Sequence, residues 1–259
     1  MNIYDIIPDP NEKPLDRLVE SYSFTSIFRT IAFVGDSLSS GEFETHVEGK
    51  DGMGYDMYEH SFGQHIARKN GLTAYNFSYG GMDTEMFQGY AERKKLWEGE
   101  FKAQAYVIAL GVNDLYNGSF DDFGSVDDVD VNDYRNNKPT FMGNYGKIIS
   151  RFKEAVPDAK FFLVTFPNET DKQVWQKETM AKGMYELAEL FDNCYVIDLY
   201  KYGPVYDSEF KKNYFLYSHM SPAGYLLTAK LVDSYIDYIV RHNPADFKNV
   251  GFITTDIEY

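Results

Sequence analysis

Cysteine is almost absent from this chain of 259 residues, because Cys194 is the only one. A single cysteine excludes an internal disulfide, and no Cys/His cluster has the spacing of a zinc site. Cys194 begins an apolar run, CYVIDL, that predicts a buried strand. This setting favours an inert core residue over a reactive thiol.

Basic residues are scarce relative to acidic ones. The chain has 25 Lys and Arg against 40 Asp and Glu, which gives a formal net charge of −15. Nucleic acids and anionic membranes attract proteins with basic patches, so neither is expected as a partner. The charge suits neutral or cationic small molecules, or it serves solubility alone.

Long apolar stretches are missing as well. No segment approaches the length of a membrane span. The N-terminal sequence, MNIYDIIPDPNEKP, carries early acids and prolines in place of the apolar core of a secretory signal. We therefore expect a cytoplasmic protein.

Short apolar runs, rich in β-branched and aromatic residues, alternate with amphipathic segments. The runs are predicted to be strands buried on both faces, and they cover 30–35, 73–78, 105–111, 160–166 and 194–200. Helical patterns are present at 61–70, 84–97, 141–156, 171–191 and 221–242. The alternation predicts a three-layer α/β/α sandwich around a parallel five-stranded sheet. Ligands bind such sheets beyond the carboxyl ends of the strands.

No internal repeat or Gly/Ser-rich linker divides the chain. We predict a single domain over 1–259, with an N-terminal extension over about 1–28 and a C-terminal tail over about 243–259. Two insertions, at 41–60 and 115–140, are expected to emerge near the strand ends and to shape the cleft.

The second insertion is acidic and raises the question of a calcium loop. Asp128, Asp130 and Asn132 alternate as in an EF-hand. Asp133 and Pro139 stand where that loop needs glycine and glutamate, so a solvated loop is the preferred interpretation.

Four residues with catalytic potential follow or border apolar segments. They are Ser37 in IAFVGDSLSSGE, Gly81 at the end of YNFSYGG, Asn113 in YVIALGVND and His219 in YSHMSPAGY. Serine can act as a nucleophile with histidine as its base, while a glycine N–H and an asparagine amide can stabilise an oxyanion. Each residue also has an ordinary structural explanation. Ser37 could cap a helix, Gly81 could serve a tight turn, Asn113 could form an Asx-turn, and His219 could have no role. Three of them fall just past a predicted strand, and this agreement favours an acyl-transfer site. No role and no metal site is predicted for His46, His60, His65 and His242.

These four blocks resemble those of the GDSL, or SGNH, hydrolase family. They are GDSL at 35–38, Gly81 five residues after Asn76, GVND at 111–114, and His219 ahead of SPAGY. The resemblance spans the first strand to the last helix. It implies a flavodoxin-like sheet with strand order 2-1-3-4-5 and a serine esterase or lipase that needs no cofactor.

The resemblance also implies roles for the four residues. Ser37 would be the nucleophile and His219 its base. The Ser37 N–H, the Gly81 N–H and the Asn113 side chain would form the oxyanion hole. Segments such as GDSLSSGEFE and NFSYGGM further resemble a subgroup that deacetylates plant oligosaccharides.

One position departs from the family pattern. Most members carry an aspartate three residues before the histidine, whereas this chain has Leu216. The imidazole of His219 could then be oriented by a backbone carbonyl, in a Ser–His dyad. A distant carboxylate could replace the aspartate, with Asp198 and Asp207 as weak candidates. Alternatively, the chain is a non-catalytic binder.

The leading hypothesis is an esterase that removes O-acetyl groups from acetylated sugars or short oligosaccharides. The alternatives are a thioesterase or lysophospholipase, which would need an apolar groove, and a carbohydrate-binding relic. The polar insertion 41–60 disfavours the apolar groove. The sequence does not predict an oligomeric state.

Overall fold

Nine strands are present in the computed structural model, which describes residues 7–21, 23–45, 53–117, 123–170, 174–248 and 250. The strands are β1 (Thr30–Gly35), β2 (Glu42–Thr45), β3 (Met53–Asp56), β4 (Thr73–Ser78), β5 (Ala105–Ala109), β6 (Lys160–Val164), β7 (Cys194–Ile197), β8 (Phe215–Leu216) and β9 (His219–Met220). Five of them form a parallel sheet in the order β4-β1-β5-β6-β7. Numbered along the chain, these five have the order 2-1-3-4-5, which confirms the predicted topology.

Nine α-helices are found in the same described residues. They are α1 (Ser37–Ser40), α2 (Phe62–Asn70), α3 (Thr84–Lys94), α4 (Val112–Asn117), α5 (Phe141–Ala155), α6 (Val174–Leu190), α7 (Leu199–Tyr202), α8 (Ser208–Tyr214) and α9 (Pro222–His242). The five helical patterns of the sequence correspond to α2, α3, α5, α6 and α9. The last of these begins as its sequence predicts, since Ser221 caps it and Pro222 occupies its first turn.

The central sheet is covered on both faces, as continuous apolar strands require. Neighbouring residues of β1 point to opposite sides: Ile31 and Phe33 pack with α2 and α9, whereas Ala32 and Val34 pack with α3, α5 and α6. This arrangement confirms the three-layer sandwich. Cys194 lies at the start of β7, and burial raises the pKa of its thiol to about 12, which keeps the thiol protonated.

The N-terminal residues before β1 pack along α9. Arg241 of that helix is buried and binds both carboxylate oxygens of Glu12 at 2.7 Å, as well as Asp237 at 2.8 Å. The backbone N–H of Phe24 donates to the same Asp237, at 2.8 Å. This segment is therefore attached to the last helix through desolvated ion pairs and hydrogen bonds.

The first insertion contains regular secondary structure. Its described residues form an antiparallel hairpin in which β2 pairs with β3, while residues 46–52, including His46, lie outside the described part. Residues of a strand alternate between its faces. Glu42 and Glu44 of β2 therefore share one face, and Phe43 on the other packs against Tyr225 with ring centroids 5.2 Å apart.

The acidic second insertion uses its carboxylates to fix its own turns. Asp130 accepts hydrogen bonds from the N–H groups of Asn132 at 2.9 Å and Asp133 at 3.1 Å. Asp128 binds Lys138 at 2.6 Å. Among the described residues, which omit 118–122, no group of three or more His, Cys, Asp or Glu side chains is placed to hold a metal ion. The part of the chain that is described also has no helix long and apolar enough to cross a membrane.

Candidate active site

The four residues singled out from the sequence meet in one cleft at the carboxyl edge of the sheet. Ser37 follows β1, Gly81 follows β4, Asn113 follows β5, and His219 comes from β9, which precedes α9. The cleft has a volume of about 460 Å³. Its other lining residues are Glu42, Gly54, Asp56, Tyr79 and Gly80.

A tight turn presents Ser37 at the end of β1. Asp36 caps the short helix α1, because its Oδ1 accepts the N–H of Leu38 at 2.9 Å. A Cβ at Gly35 would lie only 2.2 Å from Ser39 Oγ, so glycine is needed for this close approach. The other oxygen of Asp36 is buried without a hydrogen bond to the described residues. Burial raises the pKa of Asp36 to about 7, although the Leu38 N–H opposes the shift.

The side chain of Asn113 is joined to the segment that carries Gly81. Gly81 has a φ of +74°, a conformation that side chains disfavour. The amide of Asn113 donates one hydrogen bond to the carbonyl of Met82, at 3.0 Å. An asparagine amide has two N–H bonds, and the bond to Met82 fixes its plane.

Asp114 connects the two segments that carry these groups. Its carboxylate accepts the backbone N–H of Thr84 at 3.2 Å and the Thr84 hydroxyl at 2.5 Å. The start of α3 is thereby joined to α4. Burial raises the pKa of Asp114 to about 6, against the hydrogen bonds from Thr84.

His219 faces two carboxylates of the hairpin. Oε1 of Glu44 lies 3.3 Å from Nδ1 of His219, and Oε1 of Glu42 lies 3.9 Å from Nε2. Glu44 also accepts the N–H of Ser218 at 2.8 Å and its hydroxyl at 2.9 Å. The Ser218 hydroxyl is 3.1 Å from Nδ1. Glu44 is therefore placed to hold a proton on Nδ1, which leaves the lone pair of Nε2 for a serine.

The two glutamates differ in electrostatic environment. Partial burial alone would raise the pKa of Glu44, but the two hydrogen bonds from Ser218 and the charge of His219 outweigh it and lower the pKa. Burial raises the pKa of Glu42; the charge of His219 opposes this, and Asp56 and Glu44 add to it. Glu44 is thus the carboxylate stabilised as an anion beside the imidazole.

The Ser37 hydroxyl and the His219 ring make no hydrogen bond to each other in the described structure. In enzymes without bound substrate, such catalytic contacts are often long and tighten in the substrate complex. Both side chains line the same cleft, as a nucleophile and its base must.

The structure does not bring the two sequence candidates for the third carboxylate to His219. Asp198 is buried and caps α7, where it also accepts hydrogen bonds from Thr165 at 3.3 Å and Tyr185 at 2.9 Å. Asp207 caps α8 through the N–H of Phe210, at 2.8 Å. Both carboxylates therefore cap helix N-termini. The suggestion that either of them orients His219 is corrected accordingly.

The sequence candidates for the third carboxylate did not include Glu44, because it lies far from His219 along the chain and only the hairpin brings it there. The signal was present in the segment EFET, where Glu42 and Glu44 alternate with Phe43 as in a half-exposed strand. The carboxylate that lies beside Nδ1 comes from the hairpin rather than from the loop before the histidine. Leu216 pairs with His219 across the β8–β9 ladder and is 39% exposed, so it is not part of the core.

A family model decides the classification. The model of the GDSL-like lipase/acylhydrolase family matches residues 33–227, which contain Ser37, Gly81, Asn113 and His219. The chain belongs to this family. As a GDSL-like hydrolase, it is a carboxylic ester hydrolase that acts on ester substrates. A search of curated proteins finds no match.

Solved structures with a similar fold include carbohydrate esterases. A family 2 carbohydrate esterase from Clostridium thermocellum in complex with cellohexaose is 17% identical with a TM-score of 0.57, over 91% of this chain and 66% of the other. A family 3 carbohydrate esterase from the same organism is 15% identical with a TM-score of 0.54, over 82% and 97%. The acetyl xylan esterase AlAXEase is 16% identical with a TM-score of 0.51, over 78% and 97%. At these identities the likeness concerns the fold.

Proposed function

We propose that this GDSL-like hydrolase is a serine esterase that removes O-acetyl groups from acetylated sugars or plant-derived oligosaccharides. Ser37 Oγ attacks the acyl carbon while Nε2 of His219 takes its proton. The N–H groups of Ser37 and Gly81 and the amide of Asn113 hold the oxyanion. The sugar oxygen leaves with the proton from His219. Water then attacks the acyl-enzyme and releases acetate. No cofactor takes part in this sequence of steps.

Glu44 serves as the positioning residue of this mechanism. Its carboxylate, 3.3 Å from Nδ1, orients the imidazole and stabilises the imidazolium that forms when Ser37 loses its proton. This assignment takes the second of the three alternatives left open by the sequence, a distant carboxylate, with Glu44 in place of Asp198 and Asp207.

The polar lining of the cleft is the main support for a sugar substrate. Apart from Ser37, Gly81, Asn113 and His219, the lining consists of Glu42, Gly54, Asp56, Tyr79 and Gly80. Carboxylates accept hydrogen bonds from hydroxyl groups, and the exposed ring of Tyr79 offers a flat face to a sugar. The carbohydrate esterases with a similar fold support the same substrate class.

The same lining disfavours a thioesterase or lysophospholipase. Acyl-CoA and lysophospholipids carry phosphate groups, which the carboxylates of Glu42 and Asp56 repel. A long acyl chain also needs an apolar wall, which these residues do not provide. The cytoplasmic location remains a prediction from the sequence.

One experiment tests the proposal against its rivals. Purified protein is incubated with 4-nitrophenyl acetate, butyrate and octanoate, and with acetylated xylo- and manno-oligosaccharides. We expect turnover of acetates alone, and loss of both turnover and fluorophosphonate labelling in Ser37→Ala. Preference for octanoate would support a lipase-type enzyme. No turnover together with no labelling of the native protein would support a binding relic.

A further inference from the structure

Glu42 is held by the hairpin at the reacting end of the cleft. Its Oε1 lies 3.9 Å from Nε2 of His219, the nitrogen that exchanges the proton with Ser37 and with the leaving alcohol. Glycines flank its carboxylate on two sides. A Cβ at Gly54 would lie 1.8 Å from Oε1, and one at Gly80 would lie 2.8 Å from Oε2. The slot for this carboxylate therefore exists only because both positions are glycine.

The carboxylate of Glu42 lacks a hydrogen-bond donor among the described residues. Its side chain is only 20% exposed, and its pKa is raised first of all by burial. Asp56 lies directly across the hairpin from it, and like charges in that position destabilise a strand pair. A desolvated carboxylate without a donor costs free energy unless a ligand supplies the donor. A substrate that donates a hydrogen bond to Glu42 would offset this free-energy cost.

The position of Glu42 indicates which part of the substrate supplies that donor. Nε2 of His219 returns its proton to the leaving oxygen, so the alcohol half of the ester lies beside Nε2. We propose that Glu42 determines specificity by accepting a hydrogen bond from a hydroxyl group next to the esterified oxygen. This inference rests on the proposed function, since it names the alcohol that the same site accepts.

The substrate class follows from this geometry. Monoesters of vicinal diols, such as a sugar ring with one acetylated and one free neighbouring hydroxyl, satisfy Glu42. An alcohol with an alkyl group in place of the neighbouring hydroxyl leaves the carboxylate of Glu42 desolvated and unpaired. A site built to bind a hydroxyl discriminates strongly against substrates that lack it for this reason. Alcohols with a carboxylate there are repelled.

Two small acetates test the inference directly. 2-Hydroxyethyl acetate carries the neighbouring hydroxyl, and propyl acetate has a methyl group in its place. Acyl migration in the first regenerates the same compound. For the native protein we expect kcat/KM to favour 2-hydroxyethyl acetate by about 10- to 100-fold, as for a hydrogen bond to a charged group. In Glu42→Met the ratio should fall to within about threefold of one, and Glu42→Gln, which keeps one acceptor oxygen, should lie between.

Two further variants separate recognition from general effects. Glu59→Gln removes one exposed carboxylate from the short 3-10 turn that follows the hairpin and should keep the native ratio. Gly54→Ala keeps Glu42 but displaces its carboxylate, so it should lower the ratio as Glu42→Met does. An unchanged ratio in Glu42→Met would overturn the proposal. An equal loss of kcat/KM for both acetates would also overturn it, because Glu42 would then act through His219 and not on the alcohol. Failure of the native protein to hydrolyse 4-nitrophenyl acetate would instead overturn the proposed function.

Discussion

Replacement of Glu44 tests the origin of the carboxylate that serves His219. In the native site Glu44 accepts the Ser218 N–H through one oxygen and faces Nδ1 with the other. In Glu44→Gln a single oxygen remains, and the Ser218 N–H requires it. The amide NH₂ then faces Nδ1 and forces the proton onto Nε2, where the imidazole cannot accept the proton of Ser37. Glu44→Gln should therefore be less active than Glu44→Ala, in which water can replace the carboxylate.

The distance sets the size of the effect. Two unit charges 3.3 Å apart attract by roughly 1 to 5 kcal/mol when the effective dielectric constant lies between about 80 and 20. Glu44 is 20% exposed, which places the site between these limits, at about 2–3 kcal/mol. We expect kcat to fall by roughly 10²-fold in Glu44→Ala and by about 10³-fold in Glu44→Gln, with little change in KM. Both are measured with 4-nitrophenyl acetate between pH 6 and 9.

Two controls belong to this experiment. Ser218→Ala removes a neutral partner of Nδ1 and should cost less than about tenfold. Leu216→Asp in the Glu44→Ala background should recover at least tenfold, because residue 216 pairs with His219 and its exposure lets a carboxylate remain solvated. Native-like kcat in folded Glu44→Ala and Glu44→Gln would refute the role of Glu44. A backbone carbonyl would then be the group that orients the imidazole.

Three other predictions concern the oxyanion hole, a buried acid and the N-terminal attachment. Asn113→Ala should lower kcat by about 10²- to 10³-fold with little change in KM; a change confined to KM would contradict an oxyanion role. Asp36 has a raised folded-state pKa, so the stability it contributes is present below pH 4 and is lost as the pH rises through about 7. The melting temperature of the native protein should therefore fall between about pH 4 and pH 7 relative to Asp36→Asn, and parallel curves would refute this. Arg241→Met removes the cation shared by Glu12 and Asp237, leaving Glu12 with His242 and Asp237 with Arg17 and the Phe24 N–H, and should cost about 3 kcal/mol in urea unfolding. Lys230→Ala, at an exposed pair, should leave the urea midpoint nearly unchanged.

The layered fold could be predicted because its strands are buried on both faces. Such strands are continuous apolar runs, and the bounds predicted for β1 and β4 are those of the structure. The runs predicted at 105–111, 160–166 and 194–200 extend past the ends of β5, β6 and β7. Apolar residues such as Leu110 and Phe166 remain buried there although the backbone has left the ladder. Composition therefore could not locate these ends.

The positions of Ser37, Gly81 and Asn113 could be predicted because parallel strands end at one edge of the sheet. The position of Glu44 could not, because it depends on a hairpin that folds over that edge. The segment GEFETHVEGKDGMG has few apolar residues, and its pairing is local to the insertion. An apolar pattern identifies strands that enter a core. It gives little signal for a polar strand that lies over a cleft.

The hairpin links the orientation of the base to the recognition of the substrate. Glu42 and Glu44 lie two residues apart on one face of β2 and approach the two nitrogens of a single imidazole. Their common support is the last helix, since the hydroxyl of the buried Tyr225 donates to the Glu42 carbonyl at 2.7 Å and its ring packs on Phe43. A shift of β2 would therefore move both carboxylates together. In the proposed mechanism, residue 216 can be leucine because Glu44 supplies the carboxylate from β2, the strand that also carries the proposed substrate contact, Glu42.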